Sequence, residues 1–79
     1  MNQSYYWYNS WSDVWINNVI PIEMAIAIAL EQVQGEVIKA ELDRENGILV
    51  YEIHIRTPYG VYEVEIDATT GQVLDIDLD

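Results

Sequence analysis

The sequence predicts an α+β domain, one helix packed on a four-stranded antiparallel meander sheet, with an aromatic N-terminal extension. Three observations carry that reading: an apolar stripe of helical period ending near residue 34, a switch to period-two alternation after Gly35, and three turn signals that cut the remainder into four strands. Residues 1–18 form the extension and residues 19–79 the domain, with the helix over 21–34 and strands over about 36–43, 48–57, 61–68 and 72–78.

The extension holds all three tryptophans, Trp7, Trp11 and Trp15, and three of the six tyrosines. Their i, i+4, i+8 spacing places the rings along one side of a helix, against the weak helix preference of the surrounding Asn and Ser. Met1-Asn2-Gln3-Ser4-Tyr5-Tyr6 predicts no signal peptide, having neither a basic start nor a small-residue cleavage site. The compartment stays open: the chain is either cytoplasmic or a mature or excised segment.

Pro21 suits a first helical position, Glu23 places an anion in the first turn, and Gly35 stands where the helix should stop. Ile22, Ala25, Ile26, Ala29, Leu30 and Val33 share one face, on which Ala25 and Ala29 allow close approach to a sheet. Met24, Ala27 and Ile28 fall on the opposite side and need a cover, which residues 1–18 supply either within one chain or between two copies.

The strands are divided by Arg44-Glu45-Asn46-Gly47, Thr57-Pro58-Tyr59-Gly60 and Thr69-Thr70-Gly71, each a recognisable turn. Closing the first hairpin across 44–47 pairs Leu42 with Leu49, Ala40 with Tyr51 and Ile38 with Ile53. The second, across Pro58-Tyr59, pairs Ile55 with Tyr62, Ile53 with Val64 and Tyr51 with Ile66. The third, across 69–71, pairs Ile66 with Leu74 and Val64 with Ile76. Every pair is apolar, so one core face is predicted throughout.

Length and composition bound the rest. A chain of 79 residues is a single small domain, and with 51% apolar residues and no cysteine its core must hold the fold without disulfides or thiolate metal sites. Fourteen acidic residues against three basic ones give a net charge of −11, which excludes nucleic acid as a partner. The longest apolar run, Met24 to Leu30, is too short for a membrane span.

Pro21 to Leu30, Gly35-Glu36-Val37, Leu42-Asp43, Gly47, Val50-Tyr51-Glu52-Ile53 and Asp67-Ala68-Thr69-Thr70-Gly71-Gln72-Val73-Leu74 together resemble the PepSY family over about residues 20–78. The resemblance implies a non-catalytic domain of the kind found in metalloprotease propeptides and bacterial envelope proteins, one that restrains peptidases or regulates partners.

No catalytic residue, cofactor or metal site is expected. His54 is the sole histidine, and without cysteine or any serine after Ser12 neither a nucleophile triad nor a usual zinc ligand set can be assembled in one chain. The outer sheet face is more informative: the expected register sets Lys39, Glu52, Glu65 and Asp75 in one row and Val37, His54, Glu63 and Asp77 in the next. That acidic face is read either as a solvated surface, as a docking surface for a basic protein, or as a Ca²⁺ site. The partner-binding candidates are therefore Glu52, His54, Glu63, Glu65, Asp75 and Asp77, together with Trp7, Trp11 and Trp15. The expected partner is a protein, a peptidase being the candidate that the resemblance suggests, with a structural or oligomerisation role of the aromatic segment, as in a homodimer, as the alternative.

Overall fold

A computed structural model of the chain describes residues 18–79, so Trp7, Trp11 and Trp15 lie outside the described residues. Helix α1 (Ile22–Gln32) is followed by strands β1 (Glu36–Glu45), β2 (Ile48–Thr57), β3 (Gly60–Asp67) and β4 (Val73–Leu78). The strands form one antiparallel sheet in the order β1-β2-β3-β4, the predicted meander.

α1 begins without a side-chain cap. Pro21 occupies the capping position rather than the first turn, in an extended conformation, and its carbonyl accepts hydrogen bonds from the Met24 and Ala25 amides. The segment ahead of the helix is tied down instead: the Ile20 amide donates to the Ala68 carbonyl at 2.7 Å, and the Tyr51 hydroxyl donates to the Ile20 carbonyl at 2.6 Å. Burial raises the pKa of that hydroxyl, with the charge of Glu23 adding to the effect.

Ala25 and Ala29 are fully buried where α1 meets the sheet, beside Tyr51, Ile53, Ile55, Val64, Ile66 and Ala68. Each buried Ile or Val contributes about 1.5–3 kcal/mol. Ile22, Ile26, Leu30 and Val33 flank this contact, as the helical period predicts. Ile28 departs from expectation, because it too packs against the core, and its Cδ1 would meet a side chain placed at Gly71. Only Met24 and Ala27 of the expected uncovered trio are exposed. An arc wider than the six-residue stripe is thus in use, because the 67–72 turn rises beside α1 and meets its flank.

The first hairpin corrects the predicted register. Asn46 (φ 52°) and Gly47 (φ 86°) both adopt left-handed backbone, so the turn has two residues and closes on Glu45 and Ile48. Such a turn matches the right-handed twist of the flanking strands. Leu42 consequently faces Tyr51, Ala40 faces Ile53, and Leu49 faces Arg44. A bulge between Val37 and Lys39 then turns Val37 onto the core face opposite Ile55 and leaves Ile38 exposed.

The second hairpin has the predicted pairs, from Tyr51 with Ile66 to Ile55 with Tyr62. In the third, Val64 faces Ile76 as expected, but Ile66 faces Val73, and Leu74 is left over in a second bulge. The turn itself is organised by Asp67, whose Oδ1 accepts the Thr69 and Thr70 amides while its carbonyl accepts the Gly71 amide. That geometry requires positive φ at Gly71, observed at 82°.

Two glycines are therefore expected to be intolerant for different reasons. Gly71→Val should cost more than about 1 kcal/mol through backbone strain. Gly35, expected as a helix stop, in fact permits close approach: a Cβ there would strike the Arg56 carbonyl and lie 2.8 Å from Ile55 Cγ2. Gly35→Ala should cost about 1–3 kcal/mol by overpacking. Urea midpoints for both variants check this, and an unshifted midpoint in either would contradict the corresponding packing.

Candidate functional site

The face of the sheet opposite α1 is lined by side chains of alternate residues, as strand geometry requires. The two-residue hairpin places Glu41, not Lys39, beside Glu52, so one row reads Glu41, Glu52, Glu65, Asp75. The next row reads Lys39, His54, Glu63, Asp77. Val37 is not on this face, because the bulge reverses its direction.

The six sheet residues expected at the site are thus brought together on one surface, with the rows re-registered at β1. Four of them converge. His54 Nε2 and Glu52 Oε1 are 3.4 Å apart, and both side chains retain less than a fifth of their exposure. Donor atoms of Glu52, His54 and Glu63 all lie within 4.8 Å of one another, as do those of Glu45, Glu52 and Glu65. Asp75 and Asp77 stand at the β4 margin and are exposed. Lys39 leans in from β1, 3.3 Å from Glu41 and 4.0 Å from Glu52.

So many carboxylates on one surface cannot all ionise without cost. A hydrogen bond with Glu52 is the largest cause that pushes the Glu63 pKa up to about 7, helped by desolvation and by the charges of Glu52, Asp79 and Glu65. The same bond lowers the pKa of Glu52, against its own desolvation and with further help from His54 and Lys39. Glu65 is raised mainly by desolvation, then by Glu45. The two carboxyls of the Glu52–Glu63 pair are thus shifted in opposite directions, Glu63 protonating well above the ordinary carboxylate range.

Glu41 and Glu45 were absent from the candidates drawn from sequence. Reading Asn46-Gly47 as a two-residue turn would have found both, since it sets Glu41 opposite Glu52 and brings Glu45 to the end of β1. Each triad brings three side chains together on an open sheet face, so a Ca²⁺ ion there, with six to eight oxygens, would need bidentate carboxylates and waters to complete its shell.

This fold and face define a small α+β module with an acidic sheet face opposite its helix. The family model described as peptidase propeptide and YPEB domain matches residues 19–77, and the chain belongs to the PepSY family, whose domains are generally non-catalytic. It is similar to the uncharacterized protein YkoJ of Bacillus subtilis (strain 168), with 38% identity over 58 residues, 72% of this chain and 34% of that protein. It is also similar in structure to a candidate lipoprotein of Clostridium difficile 630, with a TM-score of 0.77 and 26% identity over 81% of this chain and 42% of that one. The chain therefore spans about a third of one relative and less than half of the other. Among the described residues no helix is long and apolar enough to cross a membrane.

The raised pKa of Glu63 predicts a pH response. Glu63 has a raised folded pKa, so its contribution to stability is fully present below the unfolded value and is lost as pH rises towards about 7. Glu52 acts in the opposite sense, but only as pH falls below the ordinary carboxylate range. Stability should therefore rise as pH is lowered from 7.5 to 5, and Glu63→Gln should flatten that rise. Melting temperatures across the interval test both statements, and a steady fall with acidification in the parent chain would contradict them.

Proposed function

We propose that the chain is a non-catalytic binding module that restrains a peptidase through the acidic outer face of its sheet. The observation that carries this reading is the convergence of Glu52, Glu63 and Glu65 on a surface that α1 leaves uncovered, bordered by Asp75 and Asp77. At a net charge of −11 the chain projects a negative field that speeds encounter with a basic surface and repels anionic ones. The family description, peptidase propeptide, supports a peptidase as the bearer of that surface.

A basic partner also resolves the crowding. Lys or Arg side chains set between Glu52, Glu63 and Glu65 would favour the ionised carboxylates and release the proton of Glu63, so binding at neutral pH should liberate protons. The mechanism is steric and electrostatic, and asks for no reacting group on this chain.

Inhibition tests it. The full chain, added to peptidase activity in an extract of its host and followed on a fluorogenic substrate, is expected to slow cleavage at low salt. The effect should weaken as ionic strength shortens the range of the field to about 10 Å at 0.1 M. The triple variant E52Q/E63Q/E65Q should lose most of it. Inhibition indifferent to both salt and these substitutions would contradict the assignment to this face, and no inhibition at all would contradict the restraining role.

A further inference from the structure

β4 is an edge strand, and the backbone hydrogen bonds show which of its residues face outward. The Asp79 amide donates to the Val61 carbonyl at 2.9 Å, in step with the pairing of Glu63 with Asp77 and Glu65 with Asp75. Antiparallel ladders alternate, so Asp75 and Asp77 turn their backbone groups towards β3, while Ile76 and Leu78 turn theirs to the free edge. No strand pairs with that edge among the described residues.

The same two residues carry side chains on the α1 side of the sheet, opposite Val64 and Tyr62, beyond the cover of the helix. Ile76 is 40% exposed and Leu78 49%. Beside them Gln32, Val33, Pro58, Tyr59 and Tyr62 line an open cleft with Ile76, and Tyr59 is 83% exposed. On the other face of β4 stand Asp75 and Asp77, both exposed. Among the described residues, one short edge thus has unpaired backbone donors and acceptors, an apolar row on one side and an anionic row on the other.

We infer that β4 is a docking edge for an extended segment of a partner protein whose residues alternate between apolar and basic. A strand added there would hydrogen-bond to Ile76 and Leu78, extend their apolar row beside the cleft, and set Lys or Arg beside Asp75 and Asp77. A second copy of this chain is the wrong occupant, because its β4 would bring Asp against Asp, and like charges directly opposed destabilise a strand pair. The opposite edge is less suited, since the bulge between Val37 and Lys39 interrupts β1. This inference deepens the proposed function, resting on its basic partner and giving that partner a conformation.

Binding of fluorescent peptides to the full chain, read by anisotropy, tests it. A short peptide alternating lysine and valine is expected to bind, and its counterpart alternating glutamate and valine to fail. A scrambled peptide of the lysine-valine composition should bind roughly tenfold more weakly, as should a version N-methylated on alternate residues to remove the donors that a strand would use. The variant D75K/D77K should reverse the preference in favour of the glutamate peptide, which a merely unfolded chain would not do. Equal binding of the ordered and scrambled peptides would overturn the inference by reducing it to charge attraction, and unchanged preference in D75K/D77K would place the contact elsewhere. Peptide failure with peptidase inhibition intact would sink the edge and leave the acidic face standing. Peptide binding with no inhibition would support the edge and count against the restraining role.

Discussion

One helix cannot cover four strands, and most of what is distinctive in this molecule follows from that limit. α1 approaches the sheet through Ala25 and Ala29, whose small side chains let the backbone come close enough to bury Ile53, Ile55, Val64 and Ile66 completely. Close approach gains packing in the middle of the sheet and leaves less to shield its margins. Ile76 and Leu78 on β4, and Leu42 on β1, point towards the helix side yet keep two-fifths or more of their exposure. Among the described residues no helix packs on the opposite face, where most side chains are charged and carboxylates predominate, although Val50 on that face is buried.

The crowded face and the anchored chain ahead of α1 are consequences of the same architecture acting in opposite directions. Ile20 is held by Ala68 and Tyr51, which fixes where the helix begins and hence which strands it crosses. Asp67 spends its carboxylate on the turn amides of Thr69 and Thr70, a local use that removes it from the acidic surface. Glu52 and Glu63 instead approach each other, which lowers the pKa of Glu52 and raises that of Glu63, with His54 and Lys39 beside Glu52.

Much of the fold was legible in the sequence, and what was not has a definite physical cause. The helix, the meander and the residues of the second hairpin follow from period and turn chemistry. The first hairpin was displaced by two residues, an error that apolar pairing cannot detect: strand side chains repeat every two residues, so an even shift matches apolar with apolar equally well. Only the backbone demand of Asn46-Gly47 distinguishes the two registers. The bulges at Val37/Lys39 and at Leu74 were invisible for a different reason, since a single extra residue is placed by packing in three dimensions and leaves no compositional mark. The acidic face survived both errors in outline because Glu52, His54, Glu63 and Glu65 lie on β2 and β3, whose mutual register was read correctly. Its β1 contribution did not, because Glu41 falls opposite Glu52 and Glu45 reaches the end of β1 only when Asn46-Gly47 closes as a two-residue turn.

The central claim is that β4, unpaired on its outer side among the described residues, is an open edge beside the acidic face, and native-state amide hydrogen exchange of the full chain measures that directly. Amides in the middle of β2 and β3, such as Ile53 and Val64, should exchange only through large-scale opening, and the Asp75 and Asp77 amides should show intermediate protection from their bonds to β3. The Ile76 and Leu78 amides should exchange nearly as fast as an unstructured chain despite lying between them. Protection of Ile76 and Leu78 equal to that of Asp75 and Asp77 would mean that the edge is already paired, and would contradict the account.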